Sequence, residues 1–292
     1  MKILINADDF GMHSDVNAGI IYAFNNGIVQ STSILASGAA CLEAVQLAKQ
    51  YPELEVGLHF NISHGHCSSE PAKIPLLVDE DGLFLFDSSD MRSSFARFRE
   101  LANENNKFLD QIRREFFSQI DRLDRLGVNP KHLDFHHYIN LINQKLFAQY
   151  CKFGDELGIP LRGICQPVMQ NLHIPSSSIE EMQCLLRAAS VRSPEISISN
   201  LISMNDPVIP DSQEYEKRIL LIIDQLEMDG FTIVELITHP ARITTEFLKI
   251  DDYIWARELE TTLVTSPTFK KSIQFRNYEV ISHADLRQNI GY

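Results

Sequence analysis

No apolar stretch in this chain approaches the ~20 residues needed to cross a bilayer. The N-terminus runs straight into a strand-like segment, without a basic n-region, an apolar h-region or a cleavage site. Both absences lead us to expect a cytoplasmic protein with no membrane partner. There is no block of Lys or Arg, and the formal net charge is −13, a sign that repels phosphate backbones and anionic lipid surfaces. Nucleic acid is therefore not an expected partner; the acidity supports solubility and does not identify a substrate. The five cysteines (Cys41, Cys67, Cys151, Cys165 and Cys184) are odd in number, scattered and free of C-x-x-C spacing. That pattern predicts reduced, mostly buried thiols, with Cys67 alone lying near candidate chemistry. A Gly-rich phosphate loop, internal repeats, low-complexity tracts and a clean linker are also missing.

What is present is an alternation of short apolar runs with helical patterns over 292 residues, 44% of them hydrophobic. This is the signature of β/α units. Strands are expected at 2–5, 29–35, 56–60, 133–135, 160–164 and 232–237. Helices are expected from Ser14, as N-cap, to the Asn25-Asn26-Gly27 stop, and at 40–50, 96–126, 144–157, 179–189, 214–228 and 252–263. An Asn-rich interruption at 103–106 divides the third of these. The expected architecture is one domain over 1–292, with loop or lid insertions near 62–90 and 166–210.

Four apolar runs end on residues able to do chemistry. Met1 to His13 (MKILINADDFGMH) puts Asp8 and Asp9 at the end of the first strand, just before a helix start. The run Glu55-Val-Gly-Leu-His-Phe-Asn61 ends on His59, and His132-Leu-Asp-Phe-His-His137 delivers Asp134, His136 and His137. Ile233-Val-Glu-Leu-Ile-Thr-His-Pro240 ends on His239. Singly, an Asp doublet reads as a turn or helix cap and a lone His as a satisfied structural residue. Together, on parallel strands, all four clusters fall on one rim, the end at which α/β sheets and barrels hold their chemistry. The rim then carries an Asp/His/His set suited to a divalent metal, with carboxylate and imidazole left over for proton transfer.

The motifs Asn6-Ala-Asp-Asp-Phe-Gly11, Gly57-Leu-His59, His132-Leu-Asp-x-His136 and His239-Pro-Ala241 resemble those of the YdjC-like carbohydrate deacetylases, which include chitooligosaccharide deacetylases. The resemblance extends from Lys2 to about His283. It implies an α/β fold, a distorted TIM-like β/α barrel distantly similar to the polysaccharide deacetylases. It also implies a divalent metal held by Asp9, His59 and His136, with Asp8 as general base and His239 as general acid. The implied reaction removes an acetyl group from an N-acetylated sugar or oligosaccharide. Physically, a metal lowers the pKa of a water it binds, a carboxylate accepts that water's proton, and an imidazole protonates the departing amine. Mixed Asp/His ligation fits Mg²⁺ or Zn²⁺, and also Co²⁺ or Mn²⁺.

The chain departs from the family after the Asp-x-His motif. Members commonly continue as His-x-His-x-His, whereas His136 is followed here by His137, Tyr138, Ile139 and Asn140. Tyr138 and Asn140, with Asp134 and Arg162, are candidates to support the metal ligands or touch substrate. Asp134 is read as orienting an imidazole or capping the strand end, ahead of direct ligation. Arg162 is balanced between a surface ion pair and a partner for Asp8 or a substrate oxygen. His137 is placed on the face opposite His136, His64 and His66 in solvent, and Tyr253 and Trp255 in packing. Rival readings are a metal-dependent phosphoesterase or sugar isomerase on a similar barrel, and a degenerate sugar-binding or regulatory protein. The expected partner is a small carbohydrate, and a homodimer stays open.

Overall fold

Strand-forming runs that are apolar on both faces imply a sheet covered on both sides, and β1 (Lys2–Phe10) is buried from its second residue onward. The computed structural model describes residues 1–165, 174–190, 193–194, 196–198, 211–251 and 253–287. Within them, β2 (Ser31–Ile34), β3 (Glu55–Phe60), β4 (Leu133–Phe135), β5 (Ile196–Ile198), β6 (Ile233–Thr238) and β7 (Glu279–Ile281) join β1 in one sheet. All its pairings are parallel, in the order β4-β3-β2-β1-β6-β5. The segment between β4 and β5 closes the ring, bridging β4 at Leu161 and β5 at Ile164. The result is a distorted β/α barrel. The distortion centres on β1, whose first half pairs with β7 and whose second half pairs with β2.

Helices α1 (Ser14–Asn26), α2 (Cys41–Gln50), α3 (Met91–Glu104), α4 (Asn106–Arg125) and α5 (Gln144–Leu157) follow the first strands. Then come α6 (Ser176–Ala188), α7 (Ser212–Met228), α8 (Ile254–Thr265), α9 (Pro267–Phe275) and α10 (His283–Arg287). The Asn-rich interruption is a single residue's work, because Asn105 ends α3 and its side chain caps α4 by accepting from Lys107 N–H at 3.0 Å.

Several expectations are corrected. The N-cap of α1 is His13, whose Nδ1 accepts from Asp15 N–H at 3.1 Å; Ser14 is already helical and its hydroxyl donates to Glu43. The strand expected at 160–164 is reduced to two bridges, since the segment crosses from one neighbour to the other. Within the irregular 166–210 stretch lie α6 and β5, while 166–173 and 199–210 are outside the described residues. The 62–90 segment is loop-like as expected, apart from two short 3₁₀ turns, and it is anchored. Gln111, Glu115 and Gln119, spaced four apart along α4, hold it: Leu76 N–H donates to Gln111, Ser68 and Ser69 N–H donate to Glu115, and Gln119 brackets Asn61. A buried stripe of that spacing faces one direction on a helix.

Candidate active site at the C-terminal rim

Successive strand residues point to opposite faces, so Asp8 and Asp9 should diverge. They do not, because Asp9 adopts a left-handed conformation with φ 71° and the β1–β2 register slips between Ala7 and Phe10. A non-glycine residue rarely holds that conformation without surrounding constraint. The kink turns both carboxylates toward the rim, where β3 delivers His59, the end of β4 delivers Asp134 and His136, and the end of β6 delivers His239.

Asp9 Oδ1 lies 3.4 Å from His59 Nε2 and 3.2 Å from His136 Nδ1, and the two ring nitrogens are 3.1 Å apart. All three residues are buried. Donors about 2.1 Å from one ion, at angles of about 90–110°, stand roughly 3.0–3.4 Å from each other, so the three atoms already have the spacing of a shared ion. Asp9 Oδ1 makes no hydrogen bond although it is buried, and an unpaired buried carboxylate oxygen aimed at two imidazoles calls for a cation. The set fits a divalent metal. The overlapping group Asp8, His59 and Asp134 already has its cation, the Arg162 guanidinium, 2.6 Å from Asp8 and 2.7 Å from Asp134.

Arg162 is thus no surface ion pair. It is buried, donates twice to Asp8 at 2.7 and 2.6 Å, and its Nε donates to Glu235 at 2.9 Å. Asn6 adds a third bond to Asp8, at 2.8 Å. Asp134 accepts from His59 Nδ1 at 2.6 Å, which turns the other nitrogen, Nε2, toward Asp9 and His136. His239 lies across from these groups, its Nδ1 3.0 Å from Glu260 Oε2 and its Nε2 3.9 Å from Asp8 Oδ2.

The ionisation states follow from these neighbours. Burial would raise the Asp9 carboxyl, but the close imidazoles of His136 and His59 and the Arg257 charge hold it well below its ordinary value. Burial works against the charged form of His59, yet Asp134 and Asp8 push it up to about 10. His136 goes the other way, to about 4, mainly through burial. His239 is raised: burial opposes this, and the charge and hydrogen bond of Glu260 overcome it.

The residues beside the site divide clearly. His137 does not point away from His136; the strand stops at Phe135 and His137 takes a left-handed conformation with φ 56°, which sets the two rings 3.8 Å apart at a tilt of 30°. His137 also rests on Phe86 and meets Ser63 Oγ at 3.0 Å. Tyr138 and Asn140 lie in the same turn (His136–Ile142), Asn140 buried and Tyr138 half-buried against the core. His64 is exposed, with its ring 6.0 Å from His136. Trp255 is half-buried against the core, as expected of a packing residue, and Tyr253 sets its ring 5.4 Å from His239. Cys67 is far from reactive, its thiol pushed up to about 11 by burial and by Glu115.

Sequence reasoning misses two buried charges on α8. Arg257 donates to Asp9 at 2.9 Å and to Asp251 at 2.7 Å, and Glu260 holds His239. The available signal was their i, i+3 spacing, which puts opposite charges on one helix face.

These features define a β/α-barrel protein with a candidate metal centre and a flanking carboxylate and imidazole at the C-terminal rim. The family model described as YdjC-like protein matches residues 2–274, and the chain belongs to that family. It is 28% identical over 286 residues to a carbohydrate deacetylase of Clostridium beijerinckii, covering 98% of this chain and 100% of that protein. It is 30% identical over 285 residues to a chitooligosaccharide deacetylase of Salmonella typhimurium, covering 97% and 98%. Among solved structures, an Enterococcus faecalis protein provisionally described as a cellobiose-phosphate cleavage protein superposes with a TM-score of 0.78, 25% identity and 98% coverage of both chains.

Proposed function

We propose that this protein hydrolyses the acetamido group of an N-acetylated sugar or short oligosaccharide, with one divalent ion held by Asp9, His59 and His136. The observation that carries this reading is the spacing of those three donor atoms, 3.1–3.4 Å, beside an Asp and a His that are not part of the set. When bound, the ion supplies a Lewis acid for the acetyl carbonyl and a hydroxide equivalent near neutral pH. Asp8, held in position by Arg162 and Asn6, takes the proton of the attacking water. Glu260 favours the protonated form of His239 and engages its Nδ1, leaving Nε2 free to give a proton to the sugar nitrogen as the C–N bond breaks. The names of the Clostridium and Salmonella relatives support the substrate class. The 62–90 segment, pinned by α4, is proposed as a wall of the cleft.

The ion is proposed to be Mg²⁺ or Zn²⁺, since two imidazoles and a carboxylate accommodate either. A phosphoesterase reading is less well supported, because both guanidinium groups at the site, Arg162 and Arg257, are engaged by carboxylates. The test is acetate release from N-acetylglucosamine oligomers and their phosphates, with each metal and with chelator. Metal-dependent release of one acetate per N-acetyl group is expected. Phosphate or sugar-isomer products without acetate would overturn the reading.

A further inference from the structure

A second group of metal-binding residue types lies at the opposite end of the barrel. Glu55 opens β3, His132 immediately precedes β4, and His283 follows β7. Both imidazoles are completely buried and the Glu55 side chain is 9% exposed. Glu55 Oε1 stands 3.6 Å from His132 Nδ1 and 3.6 Å from His283 Nδ1, and the three residues' ligand atoms lie within 4.8 Å of one another. Those separations are too long for hydrogen bonds. Accordingly Glu55 Oε1, both nitrogens of His132 and both nitrogens of His283 have no hydrogen-bond partner. Buried polar atoms are nearly always paired, and here three of the five orphans, Glu55 Oε1, His132 Nδ1 and His283 Nδ1, lie close together, while His132 Nε2 points elsewhere, 4.0 Å from Asp134 Oδ2.

The surroundings keep that cluster available. Glu55's other oxygen accepts from Ala284 N–H at 2.8 Å, which fixes the carboxylate. Position 57 is glycine, and a Cβ there would lie 2.4 Å from the His132 ring, so any larger residue would displace the imidazole. A surface groove of about 760 Å³, lined by Glu55, Lys131, Ser282 and Ala284 among others, reaches the Glu55 member of the cluster from solvent; the two imidazoles lie behind it.

We propose that Glu55, His132 and His283 form a second divalent-cation site, suited to a borderline ion such as Zn²⁺, that ties β3, β4 and the β7–α10 segment together at the base of the barrel. Two imidazoles and one carboxylate form a donor set that zinc accepts, with a further position for solvent. The rings are stacked 3.7 Å apart at 12°. An imidazole nitrogen directs its lone pair in the ring plane, so loading must tilt the stack open and draw each ligand pair to roughly 3.0–3.4 Å.

The test counts zinc per chain by elemental analysis after loading and gel filtration, with the melting temperature read in parallel. Wild type should carry two equivalents, and Asp9→Ala/His136→Ala one. Adding Glu55→Gln or His283→Gln to that double variant should remove the remaining equivalent and the thermal stabilisation by zinc. Glu55→Gln keeps the side chain's shape and the bond from Ala284, so it carries the test if His283→Gln misfolds. The proposal is overturned if Asp9→Ala/His136→Ala binds no zinc, or if its zinc survives both base substitutions. One equivalent that is lost in Glu55→Gln but kept in Asp9→Ala/His136→Ala would uphold the base site while removing support for the rim site.

Discussion

Asp8 and Asp9 are adjacent in the chain yet face different partners, and each predicts its own failure. Asp8 is gripped by Arg162 and sees no imidazole closer than 3.9 Å, whereas Asp9 Oδ1 has two within 3.4 Å. Asp8→Asn should therefore keep its metal and lose turnover by ~10²–10⁴-fold, the usual scale of a general base. Asp9→Ala, His59→Ala and His136→Ala should lose metal and activity together; metal analysis beside acetate release separates the two classes. With His59 as a proposed ligand, metal uptake should be sensitive to pH. Its proton, raised to about 10 by Asp134 and Asp8 against burial, occupies the nitrogen that the ion needs. His136, near 4, is already neutral at ordinary pH. Below about pH 9 each ion should displace one proton, so the apparent Kd should fall about tenfold per pH unit. Calorimetry in buffers of different ionisation enthalpy reads that number directly. Glu260→Gln probes the other side of the cleft. A general acid works while protonated, so activity is lost as pH rises through the His239 value. Removing the charge that raises this value should move the alkaline limb of the kcat–pH profile to lower pH; an unmoved limb would dissociate His239 from proton donation.

Elements set these residues in place, and a helix can disturb them from behind. Gly19 of α1 backs onto the loop after β6, where an added Cβ would lie 2.3 Å from the Ala241 backbone. Gly19→Ala should cost about 1–3 kcal/mol through overpacking and lower kcat, because Ala241 is two residues beyond His239. Thermal melts and steady-state kinetics check both. The elements that carry the site are legible in the sequence: β1, β3 and β6 are runs of six or more residues with Asp or His close to or just beyond their last residue. The short β5 and β7, three residues each, lack the Asp-x-His motif that marks the equally short β4, and α9 was hidden by Pro267, which starts that helix. Arg257 and Glu260 were missed for another reason. Charges on an amphipathic helix ordinarily read as its wet face, and only the tertiary structure reveals that these two are buried against Asp9 and His239.

At the scale of the whole molecule, the proposed rim ligands come from β1, β3 and the turn after β4, so an ion bound there would cross-link distant parts of the chain. Free metal at a hundred times its Kd should add about 2.7 kcal/mol to folding stability and raise the melting temperature by several degrees; Asp9→Ala should abolish the gain. No described helix is long and apolar enough to cross a membrane. The position of β1 also has a consequence for biosynthesis. Both β6 and β7 pair with it, yet β6 begins roughly 230 residues later in the chain. At about 5–20 residues per second on the ribosome, the strand bearing both aspartates waits about 10–50 s for that neighbour. During that interval the edge of a nine-residue strand destined for burial is open to β2 alone, so the nascent chain, more than the finished enzyme, is expected to be the form that draws on chaperones.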